Sequence, residues 1–251
     1  MEKSIEVAKT HPPLKVNRNL FAMEVQNISK VFNSPSGKFI ALKRINFTVK
    51  KGEFVSIVGP SGSGKSTLLN IMGALDRPSS GKIYINGVDI FALHNSQIAD
   101  MRNKLIGFIF QSFNLINRTS VQQNVEIPGV ISGMKDKERK LRALKLLQLL
   151  GLKNKANYKP VNLSGGQQQR VAIARALMNN PAIILADEAT GNLDTKTGQE
   201  VFDLLRMLTN RYKRTIIFVT HNPEIASETD RTIYIKDGEV EKQVTNIHNG
   251  V

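Results

Sequence analysis

"EFVSIVGPSGSGKSTLLNIM", residues 53–72, is the stretch that decides the fold. "FVSIV" is a short, nearly continuous apolar run closed by Gly59 and Pro60, the pattern of a fully buried strand. "KSTLLNIM" then spaces its apolar residues as a helix does. Between them, "GPSGSGKST" fits G-x-x-x-x-G-K-[ST] on Gly59, Gly64, Lys65 and Ser66. Glycines let such a loop wrap around phosphates with its N–H groups turned inward. Lys65 would balance the β- and γ-phosphates, Ser66 would ligate Mg²⁺, and Thr67 would reach the α-phosphate. Pro60, Ser61, Gly62 and Ser63 complete the cradle. A chance Gly/Ser turn would not bring a strand and a helix in the right order, so ATP with Mg²⁺ is the expected ligand.

The chain has 251 residues, 41% of them hydrophobic and 22% charged, enough for one large α/β domain or two small ones. It has no cysteine, which excludes disulfides and thiolate metal sites. No apolar run approaches the ~18–20 residues of a membrane span, and residues 1–15 lack the apolar core of a secretory signal. A cytoplasmic protein that does not itself cross a membrane is expected. The net charge is +14. Half of it lies in residues 135–159, where nine Lys/Arg face two acids. Apolar residues at 141, 144, 147 and 150 make that stretch an amphipathic helix with a basic, solvated face. Without aromatics between the basic residues or a DNA-binding motif, no nucleic-acid partner is expected.

Residues 1–22 are polar, contain Pro12-Pro13, and read as a flexible leader. From "FAMEVQNIS" onward, strands are expected at 53–58, "KIYING", 106–111, 182–188 and 215–221, with a closing hairpin in "TIYIKDGEVEKQV". Residues 113–162 are mainly helical, which suggests an α/β core with a helical insertion.

Each apolar strand is followed by a polar residue. Gln111 follows "IGFIF", Asp187 and Glu188 follow "AIILA", and His221 follows "TIIFVT". In an open parallel sheet, ligands bind beyond the carboxyl ends of the strands. The four positions would gather around the nucleotide. Taken singly, His221 could be a core or capping histidine and Gln111 a loop residue; their shared placement argues otherwise. Asp187 fits a magnesium-holding carboxylate, and Glu188 a base for the attacking water. His221 could contact the γ-phosphate, and Gln111 could reach Mg²⁺ or the water.

"NLSGGQQQR", residues 162–170, opens a second helix and offers a second anion cradle. "LSGGQ" together with the phosphate loop and "ILADE" resembles the ATP-binding subunits of ABC transporters, over about residues 23–240. "GFIFQSFNLINRTSVQQNVEIP" is most similar to the subgroup serving macrolide export, lipoprotein release and antimicrobial-peptide resistance. The resemblance implies a P-loop NTPase with a RecA-like core, an antiparallel β subdomain and an inserted α-helical subdomain near 112–165, leaving 241–251 as a tail. It implies a head-to-tail homodimer in which Leu163, Ser164, Gly165, Gly166 and Gln167 bind the partner's ATP. Asp194, in "TGNLD", then matches the loop that crosses between the sites. Phe32 falls where the family stacks an aromatic ring on adenine; a core phenylalanine is the bland alternative. Ala189 replaces the family's usual proline, which would loosen the loop carrying Glu188.

The same resemblance implies a separate transmembrane permease and a peripheral position on the inner face of the cell membrane. Phe113, Leu115 and Ile116 are the expected permease contacts, unless they are buried in the chain's own core. The alternative is a soluble ABC ATPase of cofactor or iron–sulfur cluster assembly. A DNA-repair cassette would need a coiled coil, for which the interval between the motifs leaves no room.

Overall fold

The computed structural model describes residues 20–35 and 37–246. Residues 1–19 of the expected leader and 247–251 of the expected tail lie outside the described residues. Two sheets form. β1 (Phe21–Ser34), β2 (Gly37–Lys50), β4 (Ser80–Ile85) and β5 (Val88–Asp89) make an antiparallel sheet in the order β2-β1-β4-β5. The second sheet contains β3 (Phe54–Val58), β6 (Ile106–Ile109), β7 (Ile183–Asp187), β8 (Thr215–Thr220), β9 (Arg231–Lys236) and β10 (Glu239–Thr245). Its order is β10-β9-β3-β8-β7-β6, with every pair parallel except β9 and β10.

The apolar runs are continuous because the parallel sheet is covered on both faces. Val55, Ile57, Leu185, Ile217 and Val219 face one core, which they share with the antiparallel sheet. Phe54, Ile184, Ala186, Ile216 and Phe218 alternate with them into the other. α1 (Lys65–Met72) is wedged into the first core through Leu68, Leu69, Ile71 and Met72. The second core is roofed by α3 (Val121–Ile131), α4 (Asp136–Leu149), α5 (Gly165–Ala176) and α6 (Thr195–Tyr212). The remaining helices are α2 (Asn95–Leu105) and the short α7 (Pro223–Ser227). No helix among the described residues is long and apolar enough to cross a membrane.

Three expectations change. Strand structure passes both expected domain limits: β1 starts at Phe21 with Ala22 buried, and β10 pairs with β9 as far as Thr245 opposite Arg231. α2 was not expected, although its Ile98, Met101 and Leu105 recur at helical spacing and pack on the first core. α4 keeps its expected stripe at Leu144, Leu147 and Leu150 but not at Leu141. Ala143, Leu147 and Leu150 face the core, while Leu141 is 54% exposed. The first turn is held by an ion pair to α3, where Arg139 Nε lies 2.9 Å from the buried Glu126 carboxylate.

Candidate active site

The strand order brings the expected polar positions to one edge. β6, β7, β8 and β3 are successive parallel neighbours. Their carboxyl ends carry Gln111, then Asp187 and Glu188, then His221, then the phosphate loop.

Burial of β3 on both faces fixes where the loop begins. The loop turns into α1 at Gly64, whose φ is 101° and where a Cβ would stand 2.6 Å from the Ala41 carbonyl oxygen. Only glycine fits that conformation in that space. Lys65 is 8% exposed, and its ammonium donates to the carbonyls of Gly59 (2.8 Å) and Pro60 (2.9 Å). These bonds fold the side chain back along the loop, so its charge is fixed where the phosphates would lie. The Ser63 hydroxyl is buried without a partner, an unsatisfied polar atom within the cradle.

Asp187 is the last residue of β7. Burial raises its carboxyl pKa above the ordinary value of 3.8, and the Glu188 charge adds to this while Lys65 opposes it. A carboxylate short of solvation beside a lysine suits a divalent cation. Ser66, next to Lys65, and Gln111, at the end of the neighbouring strand β6, could add oxygen donors, and no cluster of three or more His, Asp or Glu gathers for a metal among the described residues. That sparse set fits Mg²⁺, which takes one or two protein oxygens and completes its shell with phosphates and water.

Glu188 has φ 43°, a left-handed conformation uncommon for a non-glycine residue. Its N–H donates to Val219 O at 2.9 Å, and its carbonyl accepts from Gly191 N–H at 2.8 Å. The kink separates it from Asp187: Glu188 Oε1 lies 3.1 Å from His221 Nδ1. Gln111 is exchanged with a residue the sequence reading passed over. Its Nε2 donates to Asn192 Oδ1 at 3.2 Å, and Asn192 Nδ2 donates to Gln111 O at 3.1 Å. Asn192 stood in plain view in "TGNLD", but only the fold places it opposite Gln111. Ala189 is buried, and its carbonyl accepts a 2.7 Å bond from the buried Gln169. The Glu188 loop is thus fastened to α5 through the carbonyl of Ala189.

The second cradle is the N-terminus of α5. Ser164 caps α5, accepting from Gln167 N–H, while Gln167 Oε1 accepts from Ser164 N–H. This reciprocal capping box engages the Gln167 side chain within its own helix. A Cβ on Gly165 would stand 3.2 Å from Leu193 Cδ2 and 3.7 Å from the Phe113 ring; one on Gly166 would collide with Thr197 Cγ2 at 2.3 Å. Asp194 caps α6 in the same way, accepting from Thr197 N–H at 3.1 Å, and that bonding holds its carboxyl below the usual range. Two helix N-termini therefore lie side by side. Leu163 is buried beneath them.

Phe32 is 41% exposed on β1, with Lys30 Nζ 4.9 Å from its ring centroid, so it is not a core residue. The expected permease contacts divide. Phe113 turns toward Gly165 and Leu115 packs on the second core, while Ile116 is 49% exposed. A cavity of about 430 Å³ opens beside them instead, lined by Leu75, Ile106, Phe110, Pro128, Ile131 and Arg175.

Comparison with known proteins agrees with this geometry. A model of the ABC transporter family matches residues 42–191. The uncharacterized ABC transporter ATP-binding protein YvrO of Bacillus subtilis is 50% identical over 218 residues, 87% of this chain and 95% of that protein. The macrolide export ATP-binding/permease protein MacB of Vibrio parahaemolyticus is 48% identical over 218 residues, 87% of this chain but 33% of MacB. Among solved structures, the dimeric post-hydrolysis state of the ATP-binding cassette MJ0796, from Methanocaldococcus jannaschii and bound to ADP and Pi, aligns with a TM-score of 0.82. Its sequence is 46% identical, and the alignment covers 90% of this chain and 99% of that one. With the strand-end constellation, these similarities establish that the chain belongs to the ABC transporter family, as an ATP-binding subunit with ATPase activity.

Proposed function

We propose that this subunit binds MgATP at the carboxyl ends of β3, β8, β7 and β6, hydrolyses it between two head-to-tail copies, and drives a separate membrane permease. The observation that carries this is the convergence of the phosphate loop, Asp187, Glu188, His221 and Gln111 on one edge.

Each residue has a task that suits its place. Residues 59–67 hold the phosphates with main-chain N–H groups and the Lys65 charge. Phe32 offers its exposed ring to adenine. Glu188 takes a proton from the attacking water, and His221, in contact with Glu188, stands at the γ-phosphate side. Ser66, Asp187 and Gln111 are the residues that would hold Mg²⁺, which when bound neutralises charge on the β- and γ-phosphates. Leu163 to Gln167 and Asp194 serve the partner's ATP. A two-fold dimer then holds two composite sites. The dimer described for MJ0796 with ADP and Pi supports this arrangement.

MacB, described as an ATP-binding/permease protein, supports work on a membrane partner rather than the cofactor-assembly alternative. The cavity between α2, α3 and α5 is where a permease segment would dock, which puts the subunit on the inner face of the membrane.

Complementation tests the trans arrangement. Lys65→Ala disables the phosphate loop. Ser164→Asp keeps an equally good helix cap but sets a negative charge against the phosphate. Each variant alone should be inactive. Mixed, the two chains should form a dimer with one intact composite site and regain ATP turnover. No recovery on mixing, with both chains folded, would indicate that each chain uses its own Ser164.

A further inference from the structure

Arg175 lies in the last turn of α5, the helix whose first residues form the second cradle. Its guanidinium has no task in the roles assigned above. Nη2 donates to Phe113 O at 2.8 Å, and Nη1 donates to Asn114 O. Both acceptors are main-chain oxygens, and burial lowers the guanidinium pKa. An arginine fork is planar and presents parallel donors at a fixed spacing, so it holds two successive carbonyls in a set relation that a freely rotating ammonium imposes less strictly.

Those two residues are themselves unusual. Phe113 has φ 59° and Asn114 φ 50°, consecutive left-handed conformations without a glycine. Such backbone persists only where surrounding contacts over-determine it. The turn that contains Gln111 closes on the same residue, since Phe113 N–H donates to Phe110 O at 3.2 Å. The Phe113 ring meanwhile approaches Gly165 at the opposite end of α5. One residue of the Gln111 loop is thus gripped at both ends of one helix.

We infer that Arg175 is the positioning residue of Gln111, and that through it α5 links Gln111 at the chain's own ATP to the cradle that receives the partner's ATP. This rests on the proposal that Gln111 acts at the nucleotide. A helix with fixed contacts at both ends moves as one body. Engagement of its N-terminus by the partner's ATP would shift the carbonyl clamp and, with it, the loop that carries Gln111.

A double-mutant cycle on kcat of the full chain tests the inference, using Gln111→Ala, Arg175→Ala and the pair. Arg175→Ala should lower kcat by on the order of 10- to 100-fold through misplacement of Gln111, with ATP affinity of the single chain unchanged. Arg175→Lys should restore only part of the rate. The double variant should be no slower than the slower single variant, because both changes remove the same action. Multiplying losses would mean that Arg175 supports the fold generally, and would overturn the inference while leaving Gln111 in its role. Wild-type turnover by Gln111→Ala would overturn the role of Gln111 and the inference with it. Should Arg175→Ala not fold, Arg175→Lys takes its place in the cycle, judged by the same criterion.

Discussion

His221 Nδ1 stands 3.1 Å from Glu188 Oε1, joining the ends of the neighbouring strands β7 and β8. A carboxylate only accepts, so Nδ1 is the donor, and in the neutral ring Nε2 is left as an acceptor. The contact also holds Glu188 in place without covering it, since its side chain stays 25% exposed. Glu188→Gln preserves the shape but cannot take the proton. Its phosphate release should fall by roughly 10²–10⁴-fold, while ATP holds two chains together on size exclusion. A monomer in saturating ATP would remove Glu188 from its role.

Gly166→Ala should weaken ATP-driven dimerisation, because its methyl would meet Thr197 Cγ2 at 2.3 Å and push the two helix N-termini apart. Thr197→Ser deletes that methyl. The double variant should therefore dimerise better than Gly166→Ala alone, as measured by sedimentation with ATP and a non-hydrolysing Glu188→Gln background. Absence of any rescue would show that the α5–α6 contact does not govern the cradle.

Phe32→Ala should weaken ATP binding by about 1–3 kcal/mol, the range for stacking a base on an aromatic ring, or roughly 5- to 150-fold. Inorganic triphosphate, which has no base, should bind both chains alike. Phe32→Tyr keeps the stacking face and should bind ATP normally. Calorimetry with the two ligands separates stacking from damage to the phosphate loop, which would weaken both.

Asp187→Asn should abolish Mg²⁺-dependent hydrolysis and yet stabilise the nucleotide-free fold at neutral pH. Burial and Glu188 raise the Asp187 pKa above 3.8, so the fold disfavours the ionised carboxylate. That cost is present in full above the folded-state pKa and vanishes below the unfolded one. The difference in Tm between variant and parent should narrow as pH is lowered toward 3.8. A Tm for the variant at or below the parent's at neutral pH would contradict the burial cost.

Ile131→Asp should abolish permease binding and leave basal ATP turnover intact. Ile131 lines the cavity beside α3 and is 67% exposed, so a carboxylate there is solvated in the free subunit and desolvated beneath a docked partner. Pull-down with the permease beside ATPase rates of the isolated subunit checks it. Normal capture of the permease by the variant would move the docking site elsewhere.

How far the sequence alone reaches depends on whether a signal is local. The stretch 53–72 determines its own strand, loop and helix, because burial on both faces, left-handed glycine and helical spacing are written in adjacent residues. The same holds for "LSGGQ" as a capped helix start and for Asp187 and Glu188 at a strand end. Tertiary structure alone decided what these residues meet. Asn192 opposite Gln111, Gln169 beneath Ala189 and Arg175 on the Phe113 carbonyl are separated in sequence by 81, 20 and 62 residues. No periodicity encodes such pairs. The exposure of Leu141 and the burial of Ala143 in α4 were hidden for a related reason. The neighbouring α3, through its ion pair with Arg139, and not the helix's own pattern, chooses which side of the first turns is buried. The chemistry of the site is thus legible where one strand ends. Its alignment depends on the order β6-β7-β8-β3, which is set by packing two cores on opposite faces of one sheet.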